Sequence, residues 1–149
     1  ASWRDATPDD FVFSVKAPRY ITHVRRLRDI DEAMANFFAS GPLQLEHKLG
    51  AFLWQFPPSM RYDPELFGAF LALLPSCFSE AMHQARQSPR FDDPPKPASP
   101  GDTPLRHAVE IRNDSFLQEQ FIDQLREHRV ALVVADTAGK WPVVEEFTA

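Results

Sequence analysis

Four short stretches of the chain are almost continuously apolar: Phe11–Ala17 (FVFSVKA), Ala51–Phe56 (AFLWQF), His107–Ile111 (HAVEI) and Val130–Ala135 (VALVVA). All but the second are rich in β-branched or aromatic residues, so the pattern predicts four strands. Near-continuous hydrophobicity points to strands covered on both faces, as in parallel sheets flanked by helices.

Between them the apolar positions follow a helical period. Asp31–Ser40 places Ala33, Met34, Phe37 and Phe38 on one stripe, with Asp31 as the expected N-cap and Gly41-Pro42 as the break. Leu43–Lys48 reads as a second helical stretch. Asp63-Pro64-Glu65 is a helix start, a capping side chain followed by proline in the first turn, and it leads through Leu66, Phe67, Phe70 and Leu71 to a stop at Pro75. Ser115–Arg129 carries Phe116, Phe121, Ile122 and Leu125 at helical spacing. The order β-α-β-α-β-α-β predicts an α/β fold with parallel strands. Ser88–Pro104 breaks the pattern: it has six prolines and no periodicity, and is expected to be an exposed, mobile loop inserted before the third strand.

Alternation along each strand sorts its polar residues. Val12, Ser14 and Lys16 share one parity in the first strand, Ala51, Leu53 and Gln55 in the second, and Ala108, Glu110 and Arg112 in the third. In the fourth, Leu132, Val134 and Asp136 are expected on that same side. The opposite parity is apolar and suits burial under helices. Lys16, Gln55, Glu110, Arg112 and Asp136 therefore form a candidate cluster at the C-terminal strand ends, where α/β barrels and open sheets place their sites. A structural ion-pair network at the mouth of the sheet is the bland alternative.

Composition bounds this picture. A chain of 149 residues, 44% hydrophobic and 25% charged, is expected to form a single folded domain over 1–149. Its net charge of −5 argues against indiscriminate nucleic-acid binding by the whole surface, yet leaves room for a local basic site. Five lysines and arginines fall between Lys16 and Arg28, and Lys16, Arg19 and His23 lie nearest the expected mouth, whereas Arg26 and Arg28 read as a solvated helix entry. Such a patch suits a phosphate, a carboxylate or a nucleic-acid backbone. The single cysteine, Cys77, excludes an intrachain disulfide framework and a cysteine-built metal centre, and is expected to be a buried structural thiol in a cytoplasmic protein. No apolar run reaches the ~18 residues of a membrane span, so no membrane partner is expected.

The ordered combination FVFSVKAPRYITH at 11–23, KLGAFLWQFPP at 48–58, AVEIRN at 108–113 and VVAD at 133–136 resembles the YecE/YunF-like family. That family, also called domain of unknown function 72, is described as sugar-isomerase-related TIM barrels. The resemblance runs through almost the whole chain outside the proline-rich insert. It implies that Phe11–Ala17 is about the third barrel strand and Val130–Ala135 about the sixth. A partial (β/α)8 TIM-barrel-like fold is therefore expected, since a full barrel needs about 250 residues. No counterpart of the family's Glu-Ile-Asn motif occurs in this sequence. The family motifs fall here on Lys16, Thr22, His23, Gln55, Glu110, Arg112 and Asp136, largely the set found by parity. The family name supplies no reaction.

Three functions follow as expectations. The first is a sugar- or polyol-handling isomerase or lyase, with Lys16, His23, Glu110 and Asp136 catalytic, and Arg19, Thr22, Gln55, Arg112 and Trp141 binding substrate. The second is a nucleic-acid- or phosphoester-binding barrel that uses the basic loop 16–28. The third is an inactive fragment or interaction module that self-associates through open sheet edges. No cofactor is implied. A divalent metal is the weaker reading, because no His, Asp and Glu set shows ligand spacing.

Overall fold

A computed structural model describes residues 2–134. A short helix, α1 (Ser2–Ala6), precedes strand β1 (Phe13–Lys16); helix α2 (Asp31–Ala39) and a 3-10 segment (Pro42–Lys48) lead into β2 (Leu49–Gln55). Helices α3 (Pro64–Leu73) and α4 (Phe78–Ala85) precede β3 (Arg106–Ile111), and α5 (Glu119–Glu127) leads to β4 (Ala131–Val134). The four strands are parallel and lie in the order β1-β2-β3-β4. Sequential order without reversal winds every crossover the same way, which brings the helices to one face, as in a barrel; a doubly wound sheet reverses instead. The fold is α/β and partial TIM-barrel-like, as the sequence predicts.

The covered face follows the expected parity. Phe52, Trp54, Phe56, Val109 and Ile111 are buried against helix residues that include Phe38, Phe70 and Phe121. Ring contacts knit this layer together, with Trp54 on Phe70 at 5.2 Å and Phe67 on Phe121 at 5.2 Å. A titratable group, His107, lies inside it. The Trp54 indole N–H donates to His107 Nδ1 at 3.1 Å, so the ring proton sits on Nε2 and is donated to the Pro75 carbonyl at 2.7 Å. Burial lowers the His107 pKa to about 4, with the Pro75 carbonyl acting in the opposite direction.

Several local features differ from expectation. The N-cap of α2 is Ile30 without a side-chain cap, and Asp31 sits with Glu32 in the first turn, where both face the positive end of the helix dipole. Gly41, at φ 117, ends that helix in the left-handed conformation. Ser115–Arg129 is not one helix. The Asn113 side chain accepts from Ser115 N at 3.0 Å and winds Asp114–Phe116 into a 3-10 turn, and Gln118 is extended before α5 begins. Asp63 caps α3 as predicted, its Oδ1 accepting from Glu65 N and Leu66 N at 3.1 and 3.2 Å.

The proline-rich segment is only partly exposed. Pro94 and Pro97 are buried, and the segment runs across the body as a strap. Ala98 N donates to Glu46 Oε1 at 2.9 Å, while Gly101 and Thr103 carbonyls accept from Ser79 N and Phe78 N at the start of α4. Proline stiffness here supplies extended chain with few donors to satisfy. Cys77 is half-buried rather than buried, with its Sγ 3.2 Å from Ser79 Oγ.

Candidate functional site at the strand ends

The site begins with the ends of three strands. Register pairs Lys16 with Leu53 and Gln55 with Glu110, so all four side chains rise from the face that the helices leave uncovered. Gln55 Nε2 donates to Glu110 Oε2 at 2.5 Å, and Arg112 Nε donates to the same oxygen at 3.4 Å. The Glu110 side chain is 13% exposed and that of Arg112 36%, so the carboxylate is held below a guanidinium that reaches solvent.

The segment after β1 supplies the rest. Ala17 N donates to the Leu53 carbonyl at 2.8 Å, which carries the ladder one residue past β1. Tyr20–Val24 then forms a single π-type turn, closed by Arg25 N on the Tyr20 carbonyl at 2.8 Å. Such turns recur at functional sites because they re-aim side chains. Ile21 and Thr22 anchor this one in the interior. Thr22 Oγ1 lies 2.7 Å from His23 Nδ1, a hydrogen bond that sets the imidazole and leaves Nε2 without a partner among the described residues. The pKa of His23 is lowered, first by burial and then by the positive charges of Arg19, Lys16, Arg112 and Arg26. Burial and the four cationic side chains therefore both favour its neutral form.

Beyond the π turn the backbone is strained. Arg26, Leu27 and Asp29 adopt φ of 51°, 66° and 51°, the left-handed region that non-glycine residues occupy at a cost of about 1 kcal/mol each. Packing and hydrogen bonds hold them there. Leu27 is buried, and Arg26 donates from Nη1 to Ser59 Oγ and from Nη2 to the Ser59 carbonyl, both at 3.1 Å. Asn113 Nδ2 donates to the Pro58 carbonyl at 2.8 Å. The loops after β1, β2 and β3 are thus laced together around the strand ends.

The structure brings together Lys16, Arg19, His23, Gln55, Glu110 and Arg112, with Thr22 buried behind His23. Asp136 and Trp141 lie outside the described residues. The parity expected for the fourth strand is reversed: Glu110 pairs with Val133, whose side chain is 38% exposed, while Leu132 pairs with Val109 and packs on the core. Arg26 is a clamp between loops instead of a solvated helix entry. Ser59 and Asn113 escaped the sequence reading; the signal was their position directly after the Gln-Phe-Pro-Pro and Glu-Ile-Arg runs, at strand ends. Among the described residues no group of three or more His, Cys, Asp or Glu can hold a metal ion.

The family described as "Protein of unknown function DUF72" matches residues 1–149. The chain belongs to the DUF72 family. A crystal structure of a DUF72 family protein from Thermotoga maritima MSB8 is similar to it, with a TM-score of 0.62 and 28% sequence identity. The similarity covers 97% of this chain and 48% of that one, so the DUF72 chain spans about half the length of that relative. No curated protein matches it. No helix among the described residues of the DUF72 chain is long and apolar enough to cross a membrane.

Proposed function

We propose that the strand ends bind a sugar-like, polyhydroxylated ligand carrying a phosphate or carboxylate, and transfer protons on it in an isomerase- or lyase-type reaction. The observation that carries this reading is the convergence of Lys16, Arg19, Arg26 and Arg112 on an imidazole kept neutral, in a chain of net charge −5. The cations suit the anionic group of the ligand, with the Arg112 guanidinium able to make paired hydrogen bonds. In the tautomer that donates Nδ1–H to Thr22 Oγ1, a neutral His23 presents a lone pair on Nε2 and can take up a proton next to a carbonyl and return it. Glu110, held by Gln55 and Arg112, orients ligand hydroxyls. Asp136, as a second carboxylate, enters this proposal through the family motif alone, since strand register does not support the parity that grouped it with Leu132; Trp141, as a stacking ring, enters from the sequence alone.

The test follows the His23 ring by NMR while inorganic phosphate, glucose 6-phosphate or glucose is added. Both phosphates should bind and raise the His23 pKa, because an anion offsets the surrounding positive charge. Lys16→Gln and Arg112→Gln should each weaken phosphate binding about tenfold, the loss of one charge-assisted contact. Equal affinity for glucose, or an unmoved His23, would overturn the assignment. Exposed Arg19 and Arg28 extend the basic surface beyond the mouth and favour a nucleic-acid backbone as the second reading. That reading requires single-stranded DNA affinity to fall steeply with salt, as phosphate-backbone binding does.

A further inference from the structure

A cavity of about 290 Å³ lies away from the Gln55–Glu110–Arg112 cluster, between the segment after β1, helix α2 and the start of the proline-rich strap. Its walls are three rings, those of Tyr20, Phe37 and Phe91, and its polar rim is Asn36, Ser40 and Arg90. Tyr20 is 53% exposed, a large apolar surface that the protein leaves uncovered. The wall on the strap side is fixed in advance. The buried Ser88 hydroxyl donates to Asn36 Oδ1 at 2.5 Å and accepts from Arg90 N and Phe91 N at 3.2 and 3.3 Å, which pins the Arg90–Phe91 turn to α2.

That arrangement decides the chemistry of the rim. The Asn36 oxygen is turned to Ser88, which leaves Nδ2 as the end of the amide with donors to spare. The Arg90 guanidinium is exposed and makes no ion pair among the described residues, and no aspartate or glutamate lines the cavity. Ser40 spends its hydroxyl proton on the Phe37 carbonyl at 2.6 Å, so the rim's donors are Asn36 Nδ2 and the Arg90 guanidinium. Aromatic walls with a few convergent polar groups describe a small-molecule pocket, and one positive charge beside an amide donor asks for an anion. We propose that this cavity binds a small planar aromatic carboxylate, its ring between Tyr20, Phe37 and Phe91 and its carboxylate on Arg90 and Asn36. The site does not rest on the strand-end reading, although Tyr20 opens the π turn that carries His23. It also gives the strap a task, since Arg90 and Phe91 are its contribution to the wall.

Benzoate is the probe, titrated against the isotopically labelled chain by NMR. Saturable shifts at Tyr20, Phe37 and Phe91, with a Kd of about 1 mM, are expected for so few ligand atoms. Arg90→Gln should weaken binding about tenfold, the loss of one charge-assisted contact. Arg90 is exposed, so this variant keeps the fold. Phe91→Leu, which retains apolar bulk without the ring, should weaken it as well. Cyclohexanecarboxylate tests the need for a flat ring and inorganic phosphate the need for any ring; both should bind at least several-fold more weakly. The proposal fails if benzoate does not saturate, if Arg90→Gln binds like the unaltered chain, or if phosphate competes as well as benzoate. Phe37 and Phe91 lie outside the π turn that carries His23, so shifts there report this cavity; failure here leaves the His23 titration unaffected, and the reverse also holds.

Discussion

His107 shows how one buried polar residue makes stability depend on pH. Its neutral ring accepts from Trp54 and donates to Pro75, and protonation would set a second N–H against the indole N–H. The folded pKa is about 4, against 6.5 for the free group. Between those values the unfolded chain binds more protons than the folded one, so stability rises with pH through the window and is lost as pH falls. The stabilisation at stake is about 3 kcal/mol, from 1.36 kcal/mol per unit of pKa. Urea unfolding at pH 7.5, 6, 5 and 4.5 should show this decline, and His107→Gln should be less stable at pH 7.5 with a flatter pH slope. An unchanged slope in the variant would refute the assignment. Much of this was readable beforehand: His107 shares parity with Val109 and Ile111, which marks the covered face. Its partners were not, because Trp54 and Pro75 are distant in sequence and only packing brings them together.

Strand pairing decides what periodicity leaves open. Apart from His107, the polar residues of each of the first three strands fall on one parity, in the second Gln55 alone, so their faces follow from the sequence. Val130–Ala135 is apolar throughout and has no alternation to read; its faces are set by register with β3, which puts Val133 beside Glu110. Loop anchoring was hidden for a similar reason, since buried prolines and the Arg26–Ser59 clamp are tertiary outcomes. Gly50 offers a test of how tightly β1 and β2 are fitted. A Cβ there would sit 2.8 Å from Val12 Cγ1 and 3.0 Å from the Phe13 carbonyl oxygen. Val12 is 59% exposed and can rotate away, but the Phe13 oxygen belongs to the backbone next to the irregularity in the ladder. Gly50→Ala should therefore destabilise by about 1–2 kcal/mol despite the entropic benefit of alanine in the unfolded chain. Adding Val12→Ala should recover only the part due to the side chain, and full recovery would assign the whole effect to Val12.

The uncovered face of the sheet carries both the polar cluster and an apolar surface. Leu53 is half-buried and Val133 is 38% exposed there, and among the described residues β1 and β4 each pair on one side only. Phe11 and Val12, just ahead of β1, are 45% and 59% exposed and add to the open edge. Unpaired parallel edges beside apolar surface favour addition of another chain. Two copies related by a twofold axis along the strands would set β4 of each against β1 of the other, giving the eight parallel strands of a closed barrel. We therefore predict that this chain, prepared alone, self-associates. Light scattering coupled to size exclusion should give a mass above the 17.0 kDa monomer. Val133→Lys, which places a charge on the uncovered face, should shift the species toward monomer while leaving the helix-covered core intact. A monomer at high protein concentration would show that the uncovered face and edges need no partner. An oligomer insensitive to Val133→Lys would place the interface elsewhere.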